Sequence, residues 1–243
     1  MPSQDTSRYD DFPVIGLTSK DLSPFYSWKP EEEISFSGLR QQCCVCFIDM
    51  VNSTKIASML NNTQISKYYG LFLNAMATIA RNFNARIIKN AGDCLIFYFP
   101  KTSSADNIPA FKEVLECGST MIAAHRFINA KMSEQKLPTL NYRISADYGG
   151  VEFAKSSSSQ SDDLFGSTVN ICAKINSKAP ENGMIIGRDL YQIVKSLRDF
   201  SFEEIEGYSA GRNSQYYAYI VKSSQKRIIL NPFKQYPDTE SSE

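Results

Sequence analysis

The chain has a single histidine, His125, among 243 residues. Chemistry built on a histidine base, such as a Ser-His-Asp triad, therefore has few candidates here. His125 falls on an apolar helical stripe with Phe111, Val114, Leu115, Met121 and Ile128, which reads as a packed helix position. Net charge is also missing, because Lys and Arg number 26 and so do Asp and Glu. That balance offers no global basic field to a nucleic acid and no basic run to a membrane surface. No apolar stretch reaches the length that spans a bilayer, and Met1-Pro2-Ser3-Gln4-Asp5 lacks the charged-then-apolar pattern of a signal peptide. The expectation is a soluble cytoplasmic protein that meets neither nucleic acid nor membrane. No internal repeat is visible.

What is present is enough apolar material, 42% of residues, for one large domain with terminal extensions. Six cysteines stand at positions 43, 44, 46, 94, 117 and 172. Three fall within one expected strand, where alternation puts Cys44 and Cys46 on one face and Cys43 on the other. That is poor geometry for a zinc site, so buried reduced thiols are expected.

Residues 1–38 are polar and carry Pro13, Pro24 and Pro30, and read as an arm or linker. Residues 223–243 read as a polar, frayed tail. In the body, 39–222, the run 42–50 is apolar on both faces and suits a central strand. Asn61-Asn62-Thr63 can cap a helix with apolar residues at Ile65, Tyr69, Phe72, Met76, Ile79 and Phe83. Strands 85–89 and 94–99 flank the turn Asn90-Ala91-Gly92-Asp93 and form a hairpin. A helix over 108–132 and a strand over 141–153 follow, with a serine-rich loop at 154–161. Then come a helix from Gly166 to Lys178, a strand at 184–187, a helix at 189–196, and strands at 200–206 and 215–221. The order strand, helix, strand, strand, helix, strand predicts an α+β fold with a ferredoxin-like βαββαβ core and a C-terminal αβ extension.

Two aspartates, Asp49 and Asp93, lie where strongly apolar strands meet turns. An ionised carboxylate is costly to bury without a partner. The core topology brings the first strand beside the hairpin, and so brings the two carboxylates together. Such oxygen ligands suit Mg²⁺ or Mn²⁺, which take one or two carboxylates plus substrate phosphates. Asn170 and Lys174 stand four apart on an expected helix and share a face. Together they offer an amide and a cation to a phosphate and its sugar.

Three blocks, Phe47-Ile48-Asp49-Met50-Val51-Asn52-Ser53-Thr54, Lys89-Asn90-Ala91-Gly92-Asp93 and Asp163-Leu164-Phe165-Gly166-Ser167-Thr168-Val169-Asn170, occur in this order. With them, residues 40–222 resemble the catalytic domain of class III nucleotidyl cyclases. The resemblance implies that Asp49 and Asp93 bind two Mg²⁺ or Mn²⁺ ions, with the Met50 carbonyl as a further ligand. It implies that the backbone of Asn52-Ser53-Thr54 holds the triphosphate, a task that suits a turn at a helix start. Lys89 would meet the purine ring nitrogen and Asp163 the exocyclic amine of adenine. Asn170 would orient the ribose, and Lys174 stands where the family usually has an arginine on the reacting phosphate. The family's active sites lie between two chains, so a homodimer with two equivalent sites is expected.

The implied reaction is adenylate cyclase chemistry: the ribose 3′-hydroxyl of ATP attacks the α-phosphate, and cyclic AMP and pyrophosphate form. Asn52 in place of glycine is a mild departure, since asparagine tolerates left-handed backbone angles. Lys174 keeps the charge of the family's arginine but loses its fork. The family's C-terminal phosphate-binding lysine has no clear counterpart, and Arg212 and Lys222 are weak candidates. Guanylate or pyrimidine nucleotide cyclization and a non-catalytic nucleotide-binding module are the alternatives.

Overall fold

In a computed structural model of the chain, residues 34–156, 162–209 and 215–224 are described. Strand β1 (Ile34–Met50) is the longest. From Cys43 to Ile48 every residue is buried, as expected of a run that is apolar on both faces. Cys44, Cys46, Ile48 and Met50 face the main core, while Cys43, Val45 and Phe47 face a second cluster on the other side of the sheet. The alternation expected of the cysteines is therefore present, and all six are free. Burial pushes the Cys43 thiol up to about 12.

After β1 come α1 (Ser53–Ala57), α2 (Asn62–Asn82), β2 (Arg86–Ala91), β3 (Cys94–Phe99), α3 (Ile108–Glu134) and β4 (Tyr142–Ser156). Then follow β5 (Asp162–Phe165), α4 (Ser167–Asn176), β6 (Gly183–Gly187), α5 (Arg188–Val194), β7 (Phe200–Ser209) and β8 (Gln215–Ser223). The sheet runs β2-β3-β1-β4-β6-β8-β7, with β5 paired to β4. The portion β2-β3-β1-β4 is the ferredoxin-like core, and β6 to β8 with α5 is the C-terminal extension. Helices α2 and α3 cover the main core through Phe72, Met76, Ile79, Phe111, Leu115 and Met121. Among the described residues, no helix is long and apolar enough to cross a membrane.

Three features differ from the sequence reading. Strand β1 starts at Ile34, inside the stretch read as an arm; its first residues are exposed and polar in part, so burial left no mark on them. They pair with the end of β4 across a bulge between Phe36 and Arg40, where Gly38 takes φ +68°. Strand β4 accordingly extends to Ser156, into the stretch read as a loop; residues 157–161 of that loop lie outside the described residues, as do 1–33 and 225–243. Strand β5 was not expected at all.

Helix α2 starts as its sequence indicates. Asn61 Oδ1 accepts from Gln64 N at 3.0 Å, and Gln64 Oε1 accepts from Asn61 N at 3.1 Å. This reciprocal pair satisfies two N–H groups that the helix start leaves unpaired. Asn61→Ala is expected to lower unfolding free energy by about 1 kcal/mol. Urea denaturation checks this, and an unchanged midpoint would mean that solvent replaces the cap without loss.

Candidate active site

Asp49 is the second-last residue of β1, half-buried. Its register partners are Cys94 on β3 and Arg143 on β4. Asp93 directly precedes Cys94, in the two-residue loop between β2 and β3. Gly92 opens that loop with φ +64°, a backbone that favours glycine. The hairpin thus brings Asp93 beside Asp49, as the topology led one to expect. The Asp49 carboxyl lies above its ordinary range. Burial is the main cause, the Asp93 charge adds to it, and Arg143 and the Met50 N–H work against it. A carboxyl whose ionisation is hindered by burial and by a neighbouring carboxylate leaves room for a cation.

The donor set fits a hard divalent ion. It comprises two carboxylates and the Met50 carbonyl at the strand end, with solvent and phosphate left to complete a shell. Among the described residues, no group of three or more His, Cys, Asp or Glu side chains is placed to hold a metal ion by itself.

Beyond Met50 the chain turns through Asn52, which has φ 58° and ψ 26°. The left-handed angle expected to be tolerable for asparagine is the one it adopts. Ser53 and Thr54 open α1, and Ile56 N is the first to bond back, to Asn52 O at 3.1 Å. The N–H groups before it belong to the helix start, which has no intrahelical partner for them.

Lys89 lies on β2 and Asp163 on β5. Their side chains form an ion pair, Lys89 Nζ to Asp163 Oδ2, with 41% and 36% of each exposed. Asp163 Oδ1 accepts from Leu164 N at 2.8 Å, which orients the carboxylate. Asn170 and Lys174 are exposed on one face of α4, while Thr168, Cys172, Ile175 and Asn176 are buried against the sheet. The site residues therefore fall into three groups: the aspartates with the turn after β1, the Lys89–Asp163 pair, and the outer face of α4.

Arg143 was not singled out from the sequence. It faces Asp49 across the β1–β4 pairing, and its Nε is buried without a hydrogen-bond partner. A lone arginine at the start of an apolar strand was the available signal. Lys222 pairs with Glu203 at 2.6 Å on exposed β-strand residues, and Arg212 lies outside the described residues. His125 is a packing residue, with Nε2 within 3.0 Å of Leu140 O and 2.9 Å of Asn129 Nδ2.

The family model for the adenylate and guanylate cyclase catalytic domain matches residues 37–223. A cytidylate cyclase of Staphylococcus aureus is 24% identical over 200 residues, which are 79% of this chain and 44% of that protein. An adenylate cyclase of Streptomyces griseus is 24% identical over 187 residues, 72% of this chain and 41% of that protein. The chain thus spans less than half the length of each of these relatives. Among solved structures, the adenylyl cyclase CyaB of P. aeruginosa superposes with a TM-score of 0.70 at 18% identity, covering 77% of this chain and 97% of that one.

Proposed function

Since the chain belongs to the adenylate and guanylate cyclase catalytic domain family, we propose that it cyclizes a nucleoside triphosphate whose base carries an exocyclic amine, ATP first, releasing pyrophosphate. The observation that carries the base assignment is the Lys89–Asp163 pair. Lys89 donates to a ring nitrogen, and Asp163 accepts from the amine beside it. Guanine presents a carbonyl and an N–H at the matching edge, which would set acceptor against acceptor and donor against donor.

The chain's own groups divide the work. Asp49, Asp93 and the Met50 carbonyl would hold two Mg²⁺ or Mn²⁺ ions. Bound there, these ions would acidify the ribose 3′-hydroxyl and neutralise charge on the pyrophosphate. The N–H groups at Asn52, Ser53 and Thr54 meet the triphosphate. Arg143, with an unpartnered Nε beside Asp49, adds a cation for the same phosphates. Asn170 orients the ribose. Lys174 meets the charge that develops on the transferring phosphoryl group. The first three groups and the last two belong to opposite halves of each site, so two copies of the chain make two complete sites.

Cytosine is the second reading, and one of the relatives is a cytidylate cyclase. Its ring nitrogen and neighbouring amine repeat the adenine pattern, so Lys89 and Asp163 read both bases alike. Uracil, like guanine, offers a carbonyl instead. Incubation with each of ATP, CTP, GTP and UTP, in Mg²⁺ and separately in Mn²⁺, with chromatography of the products, tests this. Cyclic AMP or cyclic CMP is expected, with GTP and UTP slower by roughly ten- to a hundredfold. A preference for GTP or UTP would overturn the Asp163 assignment, and no product from any of the four would overturn the catalytic reading.

A further inference from the structure

The inner face of α4 is polar where it meets the sheet. Thr168, Cys172 and Asn176 follow at four-residue spacing and share that face. Their exposures are 5%, 0% and 6%. Thr168 Oγ1 donates to Gly150 O at 3.2 Å, Cys172 Sγ to Val45 O at 3.3 Å, and Asn176 Nδ2 to Phe47 O at 3.3 Å. Asn176 Nδ2 also reaches Ser145 Oγ at 3.2 Å and Arg143 O at 3.4 Å. The buried Ser145 hydroxyl donates to Cys172 O at 2.9 Å. The seam therefore joins the helix to β1 at Val45 and Phe47, just before Asp49, and to β4 at residues that include Arg143, the register partner of Asp49.

Apolar packing is non-directional, and a helix resting on it alone can turn about its axis. Hydrogen bonds weaken steeply when misaligned. A line of them along one helix face sets the helix's rotation, and with it the direction of the opposite face. That opposite face carries Asn170 and Lys174.

We propose that Asn176, acting through Ser145 and Cys172, is a positioning residue: it sets the angle at which α4 presents Asn170 and Lys174. This rests on the reading of the site as a cyclase site shared between two copies. Asn176 touches no substrate in that reading. Its loss is expected to turn the α4 of its own chain, while the carboxylate half of the same chain keeps its place through the β1–β3 and β1–β4 pairing.

Asn176→Ala is expected to lower kcat roughly 100-fold, the scale of a small misplacement of reacting groups. Mixed dimers separate this from a general weakening of the fold. Asp93→Ala chains mixed with Asn170→Ala chains are the control, and recover activity because one complete site forms. Asp93→Ala mixed with Asn176→Ala is expected to recover to the same level. Asn170→Ala mixed with Asn176→Ala is expected to stay at the level of its parents. If the control recovers and the Asp93→Ala/Asn176→Ala mixture does not, the positioning role is wrong. If the control itself fails despite demonstrated subunit exchange, the shared-site reading falls and takes this proposal with it. Turnover of Asn176→Ala within threefold of the unsubstituted chain also overturns the role. Should Asn176→Ala fail to fold by circular dichroism, Ser145→Ala, which removes the central hydroxyl, carries the same expected and overturning patterns.

Discussion

Replacing Asp93 or Asp49 by alanine is expected to take turnover to background. Losing the metal ligands removes several kcal/mol of charge stabilisation in the transition state, and at 1.36 kcal/mol per decade that is roughly a thousandfold or more. The fold should survive, for a reason visible in the site. The Asp49 carboxyl is raised by burial and by Asp93, so its ionised form is disfavoured in the folded chain. The linkage has a definite sign. Without metal, this group's contribution is fully present below the ordinary carboxylate range and is lost as pH rises through the raised value. At neutral pH, Asp49→Ala should therefore melt no lower than the unsubstituted chain in the absence of divalent ions. Adding Mn²⁺ should raise the melting temperature of the unsubstituted chain and leave both variants unmoved. Near-normal turnover, or a variant that keeps the Mn²⁺-dependent rise, would remove the carboxylates from the proposed metal site.

The second large effect concerns Lys174. Lys174→Ala should lower kcat by roughly a hundred- to a thousandfold, the usual result of removing one preorganised electrostatic donor, about 2.7–4 kcal/mol. KM should change little, because the interaction belongs to the transition state. Lys174→Arg should keep or raise the rate, since a guanidinium retains the charge and adds a fork that matches phosphate oxygens. Lys174 is exposed on α4, and alanine is a strong helix former, so neither change should disturb the fold. Steady-state kinetics at saturating Mn²⁺-ATP measure all of this. A Lys174→Ala enzyme within about threefold of the original kcat would make the residue a solvated helix position and nothing more.

Legibility in the sequence followed distance along the chain. The start of α2 was readable because its cap, Asn61 in the Asn61-Asn62-Thr63 cluster, lies next to the helix that it opens. Asn170 and Lys174 were readable as neighbours because helical spacing is local. The β2–β3 hairpin was readable because its turn carries Gly92. Other features depend on partners far away. Lys89 and Asp163 are separated by 74 positions and are joined only through β5. That strand has four residues, two of them aspartates, and shows no alternation to reveal it. Arg143 became visible as part of the site only when the β1–β4 register set it opposite Asp49. The early part of β1 was hidden for a different reason: its Ile34-Ser35-Phe36 alternation is short and is soon broken by Gly38. The buried seam beneath α4 was hidden because Ser145, Cys172 and Asn176 are ordinary residues whose hydrogen bonds exist only between elements.

The left-handed backbone at Asn52 bears on when the turn after β1 becomes ordered. That conformation costs most L-residues about 1–2 kcal/mol; it costs asparagine less, and glycine escapes the cost. Glycine, however, would leave the turn many more backbone states in the absence of ligand. Asparagine narrows that range, so the socket before Ser53 and Thr54 takes its shape during folding. Under the proposed function, a triphosphate arriving there would meet N–H groups already aimed, and the entropy of ordering them would not be charged again at each binding event.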